Sequence, residues 1–259
     1  MKFQHDHPNE AGAAMNSLSP LLSFFDKIYI INLPERCDRR QKIQQELSLL
    51  GIAESHQQVA FFPAIKPTHA GDFPSIGARG CFLSHLEVLR QAKAENLNNV
   101  LIMEDDLAFS RRLIQQQGAI VGQLKNLNWD FVYFGHRENL ASSPSGMFQE
   151  YSEALMLAHF LGVNQTAIAP LIYFLETILT RPSGHPEGGP MHVDGAYSTF
   201  RQQHPELITL IANPSLGFQR SSPSNIVGYK WFETLPVLTQ MVRATREVKN
   251  WHKRNFSFD

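Results

Sequence analysis

Cysteine is scarce in this sequence. Two thiols, Cys37 and Cys81, stand far apart in 259 residues and lack metal-ligand spacing. That scarcity excludes a disulfide scaffold and fits a reducing compartment. Charge of one sign is equally short: 23 lysines and arginines against 24 acids leave a formal net charge of −1, so no global field recruits nucleic acid. No apolar run approaches the ~20 residues that cross a bilayer. The opening stretch MKFQHDHPNEAGAAMNSLSP has no continuous apolar core behind basic residues, so no secretory signal is expected there. Internal repeats and low-complexity tracts are missing as well. What remains, 43% hydrophobic and 18% charged residues, is the composition expected of a soluble, cytoplasmic globular protein.

The pattern that is present alternates strands with helices. KIYIIN, Lys27 to Asn32, predicts a first strand, β-branched and aromatic. Residues 38–50 predict a helix, with Ile43, Leu47 and Leu50 at i, i+4 and i+7, Asp38 as N-cap and Gly51 as stop. HQQVAFF reads as a second strand, and PAIKPTHAGDFPSIG as a loop long enough for a role beyond connection. A helix spans about residues 78–95, with Cys81, Phe82, His85, Leu86, Leu89 and Ala92 on one face. NVLIME is a third strand, nearly all apolar as in a parallel sheet covered on both faces. A helix through residues 107–124 and a fourth strand, WDFVYFG, follow. The second half is less regular: AHFLGV reads as a strand, TAIAPLIYFLETIL as a helix and LITLIA as a late strand. This order predicts an α/β fold, a doubly wound and mostly parallel sheet flanked by helices, with an irregular C-terminal half. The expected division is a flexible arm over residues 1–25, one domain over 26–228 and a helical tail over 229–259.

In doubly wound sheets, ligands sit outside the carboxyl ends of the strands. Two constellations fall there. NVLIMEDDLAFS ends an apolar strand in three consecutive carboxylates, Glu104, Asp105 and Asp106. They repel one another and lose solvation unless a positive partner is near. Carboxylate oxygens in that place suit Mg2+ or Mn2+, which keep waters and take phosphate oxygens as further ligands. The plainer alternative is a solvated strand end with Asp106 capping the next helix. INLPERCDRRQKI crowds Arg36, Arg39 and Arg40 at a helix start, where cations oppose the macrodipole. A bound anion reverses that sign, because free N–H groups and a guanidinium fork make a phosphate site; arginines pointing to solvent are the alternative. An acidic cation site and a basic phosphate site on one sheet edge together describe a nucleotide diphosphate held through a metal ion.

These residues also carry a family resemblance. YIINLPERCDRR, GARGCFLSHLEVLRQA and VLIMEDDLAF occur in an order and spacing that resembles glycosyltransferase family 25, the lipooligosaccharide and collagen galactosyltransferases. The similarity runs from about Lys27 to Phe134, with weaker echoes in HFLGV, MHVDGAYS and SSPSNI. It implies a GT-A-like fold and a metal-dependent inverting enzyme. The implied reaction moves a hexose, galactose or glucose, from a UDP-sugar to a hydroxyl of a surface-glycan acceptor of lipopolysaccharide type. By position, Glu104 and Asp106 take the place of the DxD-type metal pair, Asp106 in direct contact. Asn32, Arg36 and Arg40 match the nucleotide-side motif, joined by Asp105, and Ser84 and His85 match the helix motif. The family usually has an acidic and an aliphatic residue before GC, where this chain has Ala78 and Arg79.

Several residues keep two readings. His85 lies on the apolar arc of its helix, so a buried structural histidine stands beside a ligand-contacting one, and Cys81 on the same face reads as core. The reaction needs a carboxylate to take the acceptor proton. Asp194 in HVDGAY, after the connector RPSGHPEGGP, is the candidate base, with helix capping the alternative; His192 is a candidate extra metal ligand. From Pro236 to Arg254 a basic amphipathic helix is predicted, which either docks on its own domain or touches an anionic membrane face peripherally. Two other function classes remain open: a catalytically inactive sugar-nucleotide-binding or scaffolding module, and a metal-dependent phosphohydrolase using the same acids.

Overall fold

The protein is described from a computed structural model, which covers residues 19–140 and 146–220 together with Lys249, Trp251 and Arg254. A short helix, α1 (Pro20–Phe24), leads into β1 (Lys27–Asn32), α2 (Cys37–Leu49), β2 (Val59–Pro63), α3 (Ile76–Ala94) and β3 (Asn99–Glu104). Then come β4 (Leu107–Phe109), α4 (Arg111–Leu124), β5 (Phe131–Tyr133), β6 (Phe148–Glu150) and β7 (Phe160–Asn164). Helices α5 (Gln165–Ile178) and α6 (Val193–Gln203) and strands β8 (Thr209–Ala212) and β9 (Gly217–Gln219) complete the described chain.

Seven strands form one sheet in the order β2-β1-β3-β7-β5-β8-β6. β2, β1, β3, β5 and β8 run one way; β7, antiparallel to both β3 and β5, and β6 run the other. The sheet is mostly parallel and doubly wound, as expected of the α/β class. Alternation explains the apolar run of β3. Val100 and Ile102 join a core with Tyr29 and Ile31 under α3, α5 and α6, whereas Leu101 and Met103 join Ile28 and Ile30 under α1, α2 and α4. Successive side chains point to opposite faces, so a strand covered on both sides must be apolar throughout. The C-terminal half adds β5 to β9, α5 and α6 to this frame, joined by irregular connections.

Several boundaries differ from the sequence reading. The arm expected over residues 1–25 is cut short by α1, whose Leu21 and Leu22 are buried, as is Phe25 behind it; residues 1–18 lie outside the described part. Residues 107–109 form β4, paired with β9, rather than the first turn of a helix. Ser110 caps α4 by accepting from the Leu113 amide at 3.2 Å, so Asp106 is no helix cap. Asp38 lies inside the first turn of α2, and Arg36 occupies the N-cap position. Gly51, at φ +70°, does end that helix. The tail over 229–259 lies outside the described residues save three. Of these, Arg254 pairs with buried Glu46, Lys249 lines the cleft described below, and Trp251 is exposed. No helix among the described residues is long and apolar enough to cross a membrane.

Candidate functional site

The parallel pairing of β1 with β3 sets Ile31 beside Glu104. The loop after β1 and the acidic triplet after β3 therefore leave the sheet side by side. The first turn of α2 then brings Arg39 onto the acids: its Nη1 lies 2.8 Å from Asp105 Oδ1 and 3.4 Å from Asp106 Oδ2. Of the negative triplet and the arginine cluster, Asp105 and Asp106 meet Arg39 directly. Asp105 is fully engaged, accepting also from Asn32 Nδ2 at 2.8 Å. Asn32 is itself buried and touches Asp105 and the Arg36 carbonyl. Asn32, the donor, and Asp105, the acceptor, thus brace the site through each other and Arg39.

Glu104 and Asp106 line a cleft of about 590 Å³ together with Arg36, Arg39, Lys66, Arg137, Arg220, Lys249 and Asp194. Asp106 Oδ1 is enclosed and has no hydrogen-bond partner. Burial, reinforced by the neighbouring Glu104 charge, pushes the Asp106 carboxyl up to about 7. Burial acts the same way on Glu104, but the neighbouring His85, His159 and Arg39 together outweigh it and hold Glu104 below the usual carboxylate range. An enclosed carboxylate oxygen without a donor, next to a second ionised carboxylate, fits a hard divalent cation. Glu104 and Asp106 are the residues that would hold Mn2+ or Mg2+.

Arg36 lines the cleft and forks onto Asp38, with Nε to Oδ1 and Nη2 to Oδ2 both at 2.8 Å. That hydrogen-bonded guanidinium pulls Asp38 down to about 2. Arg40 lies elsewhere than expected: its guanidinium sits over the Phe61 ring at 4.1 Å and 3.7 Å from Glu54, whereas Arg39 beside it lines the cleft.

Helix α3 explains its own motif. A Cβ on Gly80 would stand 2.6 Å from the Ile65 carbonyl oxygen, so only glycine lets the loop after β2 press onto the helix. Ser84 secures that contact. Its hydroxyl donates to the Gly80 carbonyl at 2.7 Å and accepts from the Ile65 amide at 2.8 Å. Ser84 reaches the cleft wall, but its hydrogen bonds are spent on the scaffold. Gly80→Ala is expected to lose about 1–3 kcal/mol in urea unfolding by displacing residues 64–67, and an unchanged unfolding midpoint would disprove that tight contact. His85 is buried, with Nδ1 3.1 Å from the Tyr197 hydroxyl and Nε2 3.7 Å from Glu104 Oε1. Of the departure noted at Ala78 and Arg79, Ala78 is a small buried part of the wall, and Arg79 turns away to His69 at 2.9 Å.

On the α6 side, His192 and Asp194 both line the cleft. His192 takes the N-cap position of α6, and Asp194 follows in the first turn. Asp194 accepts from the Leu157 amide at 3.0 Å and the Gly195 amide at 2.9 Å. Leu157 has φ 77°, a left-handed backbone that a leucine adopts only when held. Asp194 therefore fixes the neighbouring wall while keeping a face to the cleft. Two contributors come from residues the sequence reading passed over. Gln219 Nε2 donates to Glu104 Oε2 at 3.3 Å, and Arg220 Nη2 donates to the Asp105 carbonyl at 2.6 Å. The antiparallel β4–β9 pair delivers both; the one sequence signal was an arginine in an otherwise neutral polar loop.

The chain belongs to glycosyltransferase family 25. The family model, described as glycosyltransferase family 25 (LPS biosynthesis protein), matches residues 25–155, just over half of the chain. Among curated relatives, a Drosophila melanogaster glycosyltransferase 25 family member is 28% identical, covering 50% of this chain and 26% of its own length. Procollagen galactosyltransferase 1-B of Xenopus laevis is 26% identical over 46% of this chain and 23% of its own. The human inactive glycosyltransferase 25 family member 3 is also 26% identical, over 44% and 22%. The chain thus spans about a quarter of the length of these relatives. Among solved structures, a glycosyltransferase involved in the glycosylation of the major capsid of PBCV-1 aligns at TM-score 0.38 and 12% identity, covering 72% of this chain and 92% of that one.

Proposed function

We propose that this family member is a metal-dependent inverting glycosyltransferase. It moves a hexose, galactose or glucose, from a UDP-sugar to a hydroxyl of a surface-glycan acceptor of lipopolysaccharide type. The observation that carries the reading is the meeting of Glu104 and Asp106 with Arg36, Arg39 and Arg220 at one cleft. That is the charge pattern a pyrophosphate and its cation require. A cation held by the two acids would supply Lewis-acid neutralisation of the leaving diphosphate. Arg36, held by Asp38, and Arg220, held by the Asp105 carbonyl, contribute positive charge that needs no reorganisation as the leaving group develops its own. Asp194 takes the acceptor hydroxyl proton.

For Asp194→Asn the expected outcome is a kcat loss on the order of a hundredfold with donor affinity retained in equilibrium titration; unchanged turnover would move the base elsewhere. The reading as a whole is tested by thermal melting with Mn2+ and UDP. At a hundredfold excess over Kd, binding only to the native chain adds about 2.7 kcal/mol, and the midpoint should rise with UDP more than with GDP or CMP. Slow hydrolysis of a panel of UDP-, GDP- and CMP-sugars then identifies the donor. A second reading has its own support, since one relative of equal identity is named inactive. Absence of any shift with nucleotide favours a scaffolding module, and phosphate release from simple esters favours a phosphohydrolase.

A further inference from the structure

Cys81, His85 and Glu104 place one sulfur, one nitrogen and one oxygen within 4.8 Å of one another. Cys81 and His85 are four residues apart on α3, so their side chains emerge on one face a turn apart, and Glu104 meets them from the end of β3. Glu104 Oε1 lies 3.7 Å from Cys81 Sγ and 3.7 Å from His85 Nε2. The His85 separation exceeds a good hydrogen bond, and the Cys81 contact is a thiol hydrogen bond to Glu104 whose proton a metal ion would replace. Both separations lie just above the edges of a tetrahedron: ligands bound to zinc at about 2.0–2.3 Å stand roughly 3.4–3.6 Å apart.

The surroundings aim these atoms inward. His85 is fully buried and its Nε2 has no hydrogen-bond partner. The Tyr197 hydroxyl at Nδ1, 3.1 Å away, fixes the ring so that Nε2 faces Glu104. Gln219 holds the other Glu104 oxygen, Oε2, at 3.3 Å, leaving Oε1 for the cluster. Such outer partners orient and strengthen metal ligands. Cys81 and Glu104 reach the cleft wall, so a fourth position opens to water or a ligand, as in three-ligand zinc sites.

We propose that Cys81, His85 and Glu104 form a thiophilic cation site on the inner wall of the cleft, taking Zn2+ or a similar borderline ion in preference to Mg2+ or Mn2+. Thiolate and imidazole donors select such ions, whereas the oxygen-only pair Glu104 and Asp106 suits hard ones. Binding replaces the thiol proton, which passes to solvent, so the ion binds more tightly as pH rises. Because Glu104 belongs to both sets, Zn2+ on the inner site withdraws a ligand from the outer one and antagonises Mn2+. This last consequence rests on the proposed role of Glu104 and Asp106; the inner site does not.

Co2+ titrated into the metal-free, reduced full chain provides the test. The expected result is one equivalent bound with a thiolate-to-cobalt absorption in the near ultraviolet, displaced by one equivalent of Zn2+. Cys81→Ser should abolish that band and weaken Zn2+ at least tenfold against a chelator, while Cys37→Ser keeps both. His85→Gln serves as a second variant and should weaken Zn2+ similarly with an unchanged far-ultraviolet spectrum. A wild-type chain without the band, or a band lost in Cys37→Ser and kept in Cys81→Ser, overturns the site. Asp106→Asn should retain the band and lose Mn2+ affinity; retained Mn2+ affinity would overturn the outer pair alone. Mn2+ affinity indifferent to Zn2+ in the wild type would overturn the shared ligand.

Discussion

On the proposed reading, Asp106→Asn is expected to lose cation-dependent donor turnover on the order of a thousandfold, the several kcal/mol of a lost metal contact, and at the same time to make the metal-free fold more stable at pH 8. The second effect follows from the charge balance of the site. The Asp106 carboxyl is pushed up to about 7 by burial and by Glu104, from an ordinary 3.8. Between those values the folded chain binds a proton that the unfolded chain has released. The associated stability is therefore full below about 4 and is lost as pH rises through 7. Asparagine never carries the charge, so in EDTA the variant should unfold at higher urea than the wild type at pH 8, by roughly 2–4 kcal/mol. At pH 4 the advantage should vanish. Mn2+ should raise wild-type stability and leave the variant unmoved. A variant less stable than wild type at pH 8 would show that Asp106 is comfortable without a cation.

Arg39→Met should cost about 3–5 kcal/mol, because it strips the cation from enclosed acids. The Arg39 side chain is 14% exposed, and its partners Asp105 and Asp106 are 9% and 14% exposed, so water offers little replacement. Methionine keeps the aliphatic volume and removes only the charge and its hydrogen bonds. Urea unfolding measures the loss. The double variant Arg39→Met, Asp105→Asn should recover part of it, a coupling expected for groups in direct contact. Strict additivity of the two changes, or a single-variant cost below about 1 kcal/mol, would mean that the acids are neutralised by something other than Arg39.

What could be read from the sequence followed from local pattern. The apolar run of β3, the periodicity of α3 and the stop at Gly51 each report a local preference, and each lies where expected. The acidic triplet and the arginine-bearing helix start were placed on one sheet edge by chain order alone, and the β1–β3 pairing brings them there. The choice between Arg39 and Arg40 was not legible. Both lie within a turn of Arg36, and only the rotation of α2 about its axis sends Arg39 to Asp105 and Arg40 to Phe61. β4 and β9 are three residues each, too short for alternation to register, so residues 107–109 looked like the start of α4. The same brevity hid Gln219 and Arg220, whose place depends on a pairing across more than a hundred residues. Ser84 and Asn32 were recognised as positions of interest. Their occupation with Ile65 and Asp105 is a matter of packing that no motif spells out.

The packing of α1 bears on how this chain can be handled at the bench. Leu21, Leu22 and Phe25 are sealed into the interior, the Phe25 ring 6.2 Å from Trp129 and 6.0 Å from Phe134, and Ser19 Oγ reaches Gln117 at 2.8 Å. An expression boundary drawn at β1, or at the first residue of the family match, would leave a greasy socket over the middle of the sheet. Such a truncation invites clumping in the purification column, and beginning the recombinant chain before Ser19 avoids it.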